Sequence, residues 1–105
     1  MIQPFSFNVS RSNGSSVVAI AGEIDLATAP AIANVLNDFA QESVIVDLSA
    51  VTFIDSSGLA VLSDAHSRIR RSGGRLAIDC AQPSVRRVFE ITSLSALFRG
   101  DSIDA

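Results

Sequence analysis

The sequence contains no lysine, one cysteine and one histidine, and it has no apolar run of membrane-spanning length. Each scarcity excludes something. A lone Cys80 cannot form an internal disulfide, and with His66 as the only imidazole there is neither a zinc-ligand cluster nor a thiol catalyst with its base. A reducing cytoplasm suits such a chain. The opening "MIQPFSFNVS" lacks the basic and apolar regions of an export signal, so neither export nor direct membrane insertion is expected. Eight arginines against eleven acidic residues give a formal net charge of −3, which argues against nucleic acid, since that affinity needs an excess of cations on phosphate.

What is present is a globular composition. Hydrophobic residues make up 48% of the 105 positions and charged ones 18%, enough apolar material for one compact domain over 1–105. "FSFNV" (Phe5 to Val9) alternates as a half-buried edge strand does, and "SNGSS" (Ser12 to Ser16) supplies a turn into "VVAIAG", together a hairpin. Gly22 punctuates "GEID". Thr28 and Pro30 mark a helix start, with Ile32, Val35, Leu36 and Phe39 following at helical spacing.

"VIVDL" (Val44 to Leu48) is a continuous β-branched run expected to form a central strand covered on both faces. From Ser57 onward, Leu59, Leu62, Ala65 and Ile69 share one helical face. Arg68, Arg70 and Arg71 fall near that helix's end, where cations suit the dipole, and Gly73 and Gly74 stop it. "RLAID" (Arg75 to Asp79) reads as a strand, Pro83 opens a helix bearing Val85, Val88 and Phe89, and "LSALF" (Leu94 to Phe98) reads as a weak final strand. Strands alternating with helices predict an α/β fold: one mixed sheet with an N-terminal hairpin, parallel βαβ units and helices mainly on one face.

In open α/β sheets, functional groups gather beyond the carboxyl ends of parallel strands, so "GEID" and "DSSG" should be neighbours. Asp55 or Ser56 is the expected N-cap, with Ser57 in the first turn and Gly58 permitting close packing. The helix entrance is also a place where free amides favour an anion, so a phosphate on either serine would be welcome there. Capping and phosphorylation are compatible.

Three stretches, "GEIDLATAP" (Gly22 to Pro30), "VIVDLSAVTFIDSSGLAVL" (Val44 to Leu62) and "PSVRRVFEITSL" (Pro83 to Leu94), resemble the STAS domain family, in particular its bacterial anti-sigma factor antagonists. The resemblance implies a non-enzymatic switch protein that needs no cofactor. When unphosphorylated it binds an anti-sigma factor with an ATPase-like serine kinase domain and so frees a sigma factor. Phosphorylation by that kinase ends the binding, and a PP2C-type phosphatase restores it. The phosphoacceptor carries over to Ser56, with Ser57 as a supporting cap. Asp25, Thr28, Asp55, Ser56, Ser57 and Gly58 then make the switch surface, Asp25 and Asp55 through turn and cap chemistry rather than phosphoryl transfer.

Departures from the family pattern are Ala60, where a second glycine is common, and "FRGDSIDA", a poor match to the usual terminal strand and helix. Two rivals stay in view. A hydrolase triad of a serine with His66 and an aspartate fails on spacing, since His66 lies more than two helical turns beyond the serines, and there is no "GxSxG" elbow. The other is a STAS interaction module of a stressosome-like, lipid-transport or transporter complex without a phospho-switch. Nucleotide binding has no Walker-type loop behind it. Cys80 is read as a packed small residue, and Arg86 and Arg87 as solvated.

Overall fold

The computed structural model describes residues 4–98. In chain order the elements are β1 (Ser6–Ser12), β2 (Ser15–Ile24), α1 (Ala29–Leu36), β3 (Ser43–Ile54), α2 (Ser56–Arg71), β4 (Arg75–Ala81) and α3 (Pro83–Ile91), then a 3-10 turn (Ser95–Leu97). The sheet runs β1-β2-β3-β4, with β1 antiparallel to β2 and the other pairs parallel. Asn13 and Gly14, both at positive φ, form the two-residue turn between Ser12 and Ser15, the geometry whose twist matches that of the flanking strands. The mixed sheet with its opening hairpin is as the sequence predicts.

One face of the sheet carries the core. Val18, Ile20 and Ile24 of β2, Val44, Val46 and Leu48 of β3, and Leu76 and Ile78 of β4 are buried with Ile32 and Leu36 of α1, Leu62 and Ile69 of α2, and Phe89 of α3. The alternate strand residues Val17, Ala19, Ile45 and Ala77 are only half-buried, so "VIVDL" is fully covered on one face rather than two. Nor is β1 half-buried: all seven of its residues are exposed, because the helices lie over the later strands.

β3 also outruns the expectation, continuing past Leu48 to Ile54. Its register with β2 shifts twice, between Ala19 and Ala21 and between Gly22 and Glu23, each time with an extra residue on β3. Such bulges break the two-residue alternation by which a strand is recognised. They also bring Ile54 opposite Ile24, which sets the two loops beyond them side by side.

"LSALF" is a 3-10 turn rather than a strand; its one sheet-like contact is a parallel bridge from Phe98 to Ile78. Phe98 meets Phe89 edge to face at 5.0 Å, and the Arg86 guanidinium lies 4.3 Å from the Phe98 ring centroid. Arg86 also pairs with Glu90 at 3.6 Å, so it is a packed residue and not the solvated one expected, whereas Arg87 is exposed. The terminal segment after Phe98 and the side chain of Cys80, about both of which the sequence raises expectations, lie outside the described residues.

Arg68 does more than favour the α2 dipole. Its guanidinium donates to Leu36 O at 2.7 Å and Phe39 O at 2.8 Å, tying α2 to the last residue of α1 and to the segment that follows it. Charged hydrogen bonds of this kind contribute about 1.5–3 kcal/mol. Arg68→Ala is expected to cost about 2 kcal/mol in urea denaturation followed by far-UV circular dichroism. Arg68→Lys should restore only part, since an ammonium lacks the fork that reaches both carbonyls.

His66, half-buried in α2, is held below the ordinary imidazole value of 6.5 by its burial and, secondarily, by the Arg70 guanidinium. The folded protein therefore binds the proton less readily than the unfolded chain. The stability this contributes is full above pH 6.5 and is lost as the pH falls from there through the lower folded value. A series of urea midpoints on acidification should show the loss, and His66→Gln should flatten that part of the curve.

Candidate functional site

The β2–α1 and β3–α2 loops meet at the carboxyl ends of their strands. The Asp55 amide donates to Ile24 O at 3.1 Å, so the backbone entering "DSSG" is tied to the residue just before Asp25. Gly58 is buried where α2 crosses this junction. A methyl group there would lie 2.5 Å from Ile24 Cγ2 and 2.8 Å from Ile54 Cγ1, so glycine lets the helix start sit directly on both strand ends.

Asp55 is the N-cap of α2. Its Oδ1 accepts from the amides of Ser57 at 2.9 Å and Gly58 at 3.2 Å, two of the donors a helix start leaves unpaired. This settles which of the expected cap residues serves. Ser57 is a beneficiary of the cap and not a supporting one; its hydroxyl, like that of Ser56, makes no hydrogen bond among the described residues. Ser56 is exposed and Ser57 half-buried. With Asp55 holding the amides, the Ser56 hydroxyl is accessible and has no structural partner to give up on modification.

Asp25 and Thr28 lock their own loop. Asp25 Oδ1 accepts from the amides of Ala27 at 3.0 Å and Thr28 at 3.1 Å, while Thr28 Oγ1 accepts from the Asp25 amide at 2.9 Å and donates to Glu23 O at 2.9 Å. Thr28 precedes α1 but its side chain does not cap that helix, as the sequence suggested; it is bound back into the turn. Asp25 thus uses its carboxylate in turn chemistry, and its loop is brought beside "DSSG" through Ile24. His66 is ten residues beyond Ser56 in α2, about 15 Å at 1.5 Å per residue. The serine and the imidazole are not brought together.

Two residues escape the sequence reading. Leu26, between Asp25 and Ala27, is 76% exposed, and Phe53, at the end of β3, is 47% exposed. A leucine inside a turn otherwise built of Asp and Thr chemistry is a signal that could have marked the first. The bulges in β3 hid the second, since unbroken alternation does not tell which way Phe53 faces.

Together these features define a class: a small mixed-sheet α/β domain that presents a free serine hydroxyl at a capped helix entrance, with an exposed leucine on the loop beside it. The sequence pattern of the STAS domain matches residues 6–104, and the chain belongs to that family. It is 32% identical over 94 residues to the anti-sigma-F factor antagonist RsfB of Mycobacterium tuberculosis, covering 87% of this chain and 76% of the relative. The crystal structure of an anti-sigma factor antagonist from Mycobacterium paratuberculosis superposes with a TM-score of 0.80 at 31% identity, over 90% of this chain and 83% of the other. The fold is also that of the anti-sigma factor antagonist SpoIIAA in its unphosphorylated form (TM-score 0.75, 21% identity, 90% and 86% covered) and of Bacillus SpoIIAA in the phosphorylated form (0.70, 19%, 90% and 89%).

Proposed function

We propose that this protein is an anti-sigma factor antagonist switched by phosphorylation at Ser56. Unphosphorylated, it docks the surface formed by the Asp25–Thr28 and Asp55–Gly58 segments on an anti-sigma factor that carries an ATPase-like serine kinase domain, releasing a sigma factor. That kinase transfers phosphate to Ser56, and a PP2C-type phosphatase removes it. The observation that carries the reading is the exposed, unpartnered Ser56 hydroxyl beside a cap already supplied by Asp55. The antagonist names of relatives above 30% identity support the partner class.

The chain acts as an interaction module and not as an enzyme: the kinase supplies base and nucleotide, and this chain supplies the hydroxyl and the surface around it. No helix among the described residues is long and apolar enough to cross a membrane. Since sigma factors work on RNA polymerase, the place of action is the cytoplasm.

Capture from host lysate with wild type, Ser56→Ala and Ser56→Asp as parallel baits, read by mass spectrometry, tests the proposal. A serine-kinase-type ATPase held by wild type and Ser56→Ala but lost with Ser56→Asp is the expected result. Added ATP should label wild type and not Ser56→Ala. Recovery of one common set of scaffold or transporter proteins by all three baits overturns it in favour of a module without a switch.

Leu26 is the expected anchor of the docked surface, being the most exposed large apolar side chain on either loop. Truncating a central apolar anchor costs about 2 kcal/mol or more, roughly 30-fold in affinity. Leu26→Ala should weaken binding to the captured kinase by that factor in titration calorimetry while leaving the melting temperature nearly unchanged, because the residue is 76% exposed in the free protein.

A further inference from the structure

Among the described residues, nothing pairs with the outer edge of β1. Its seven residues run in unbroken register with β2, from Ser6 opposite Ala21 to Ser12 opposite Ser15, and all seven are exposed. Proteins blunt such edges with proline, lysine, bulges or inward charges. Between Ser6 and Ser12 there is no proline, no lysine and no bulge, and Arg11, near one end, is the only charge.

The exposed side chains are not those of an edge meant for water. Phe7 lies opposite Ile20 and Val9 opposite Val18, so both point to the face on which those partners are buried, yet Phe7 is 42% and Val9 44% exposed. Phe5 extends the strip, its ring 6.3 Å from that of Phe7.

We propose that β1 pairs antiparallel with β1 of a second copy about a twofold axis at Asn8, joining two four-stranded sheets into one of eight strands. The strand's own sequence selects the occupant and the register. A twofold at Asn8 sets Phe7 of each copy opposite Val9 of the other, an aromatic facing a β-branched residue, which is among the favourable cross-strand pairs. It also sets Phe5 opposite Arg11, whose guanidinium stays bonded to Ser16, Gly14 and Glu42 of its own copy, and leaves Ser6, Asn8 and Ser10 facing one another on the polar side. A twofold at Val9 instead puts Phe7 opposite Arg11 and pairs the valines alone, covering less apolar surface. Because the axis stands perpendicular to the sheet, the helices of both copies stay on one side, and the two Phe7–Val9 pairs close over a single patch. Ser56 follows β3, two strands in from this edge, and remains open.

An edge of seven residues buries less than a stable dimer interface requires, so the association is weak, with a dissociation constant on the order of 100 μM. Sedimentation equilibrium on the wild-type chain from about 10 μM to about 1 mM should show the weight-average mass rising from 11.0 kDa towards twice that value. The double substitution Phe7→Lys with Val9→Lys should abolish the rise while the circular dichroism spectrum is unchanged, both side chains being exposed. In a Cys80→Ala background shown to melt like wild type, Asn8→Cys should form intermolecular disulfides under mild oxidation at least about tenfold faster than Ser12→Cys, because the axis places one copy of position 8 against the other. A mass constant at 11.0 kDa leaves the edge to some other chain and overturns the proposal. So does a double-lysine variant that still associates, or Ser12→Cys cross-linking as fast as Asn8→Cys.

Discussion

Gly58→Val destabilises the fold by about 3 kcal/mol, and the melting temperature falls by more than about 10 °C. A Cβ at this position meets Ile24 Cγ2 at 2.5 Å and Ile54 Cγ1 at 2.8 Å, and both isoleucines are buried in the core. Helix propensity pulls the other way, since replacing a helical glycine ordinarily gains up to about 1 kcal/mol, so the sign of the effect decides between propensity and packing. Gly58→Ala should be intermediate, at about 1–2 kcal/mol. Thermal melts followed by far-UV circular dichroism give the answer, as the chain has no tryptophan or tyrosine to report by fluorescence. Melting temperatures unchanged by either substitution would mean that the first turn of α2 does not press on the strand ends. In that case the two loops would not be held in register.

That contact was half legible in advance. A glycine after two serines at a helix entrance announces close packing, and the parallel βαβ order announces that "GEID" and "DSSG" meet. Which atoms meet depends on the two extra residues that β3 inserts against β2, and an insertion in a register leaves no trace in local propensity. The strand therefore reads as ending at Leu48 although it runs to Ile54, and the outward-facing Phe53 goes unmarked. The caps show the same division. That a cap stands at "DSS" follows from residue type, but Asp55, Ser56 and Ser57 all have acceptor side chains, and only the extended backbone at Asp55 assigns the role. Thr28 has the right type and the right place before Pro30, and is drawn away because Asp25 offers its oxygen a nearer donor. "LSALF" fails for a tertiary reason: Phe98 is fixed by Phe89 and Arg86, which a five-residue window does not contain.

Phosphorylation of Ser56 is expected to weaken binding to the kinase-type partner at least about 100-fold while changing the stability of the free protein by less than about 1 kcal/mol. The two halves have separate physical grounds. In the free protein the hydroxyl is exposed and makes no hydrogen bond among the described residues, so the phosphate displaces nothing. It gains from the amide end of α2 and loses to the neighbouring Asp55 carboxylate, which already occupies the Ser57 and Gly58 amides, so these effects largely offset each other. In the complex the same group adds about −1.5 to −2 charges to a surface that the partner covers. Burying a dianion there without a cation to pair it costs several kcal/mol, and each 1.4 kcal/mol is about tenfold. Ser56→Asp brings one charge on a shorter arm and should lose about tenfold, Ser56→Ala less than about threefold. Titration calorimetry of the phosphorylated, Asp and Ala forms against the captured partner orders the three. Equal affinities for the phosphorylated and free forms would show that the partner's face supplies a cation for the phosphate or does not cover Ser56, and the switch would then have to lie elsewhere.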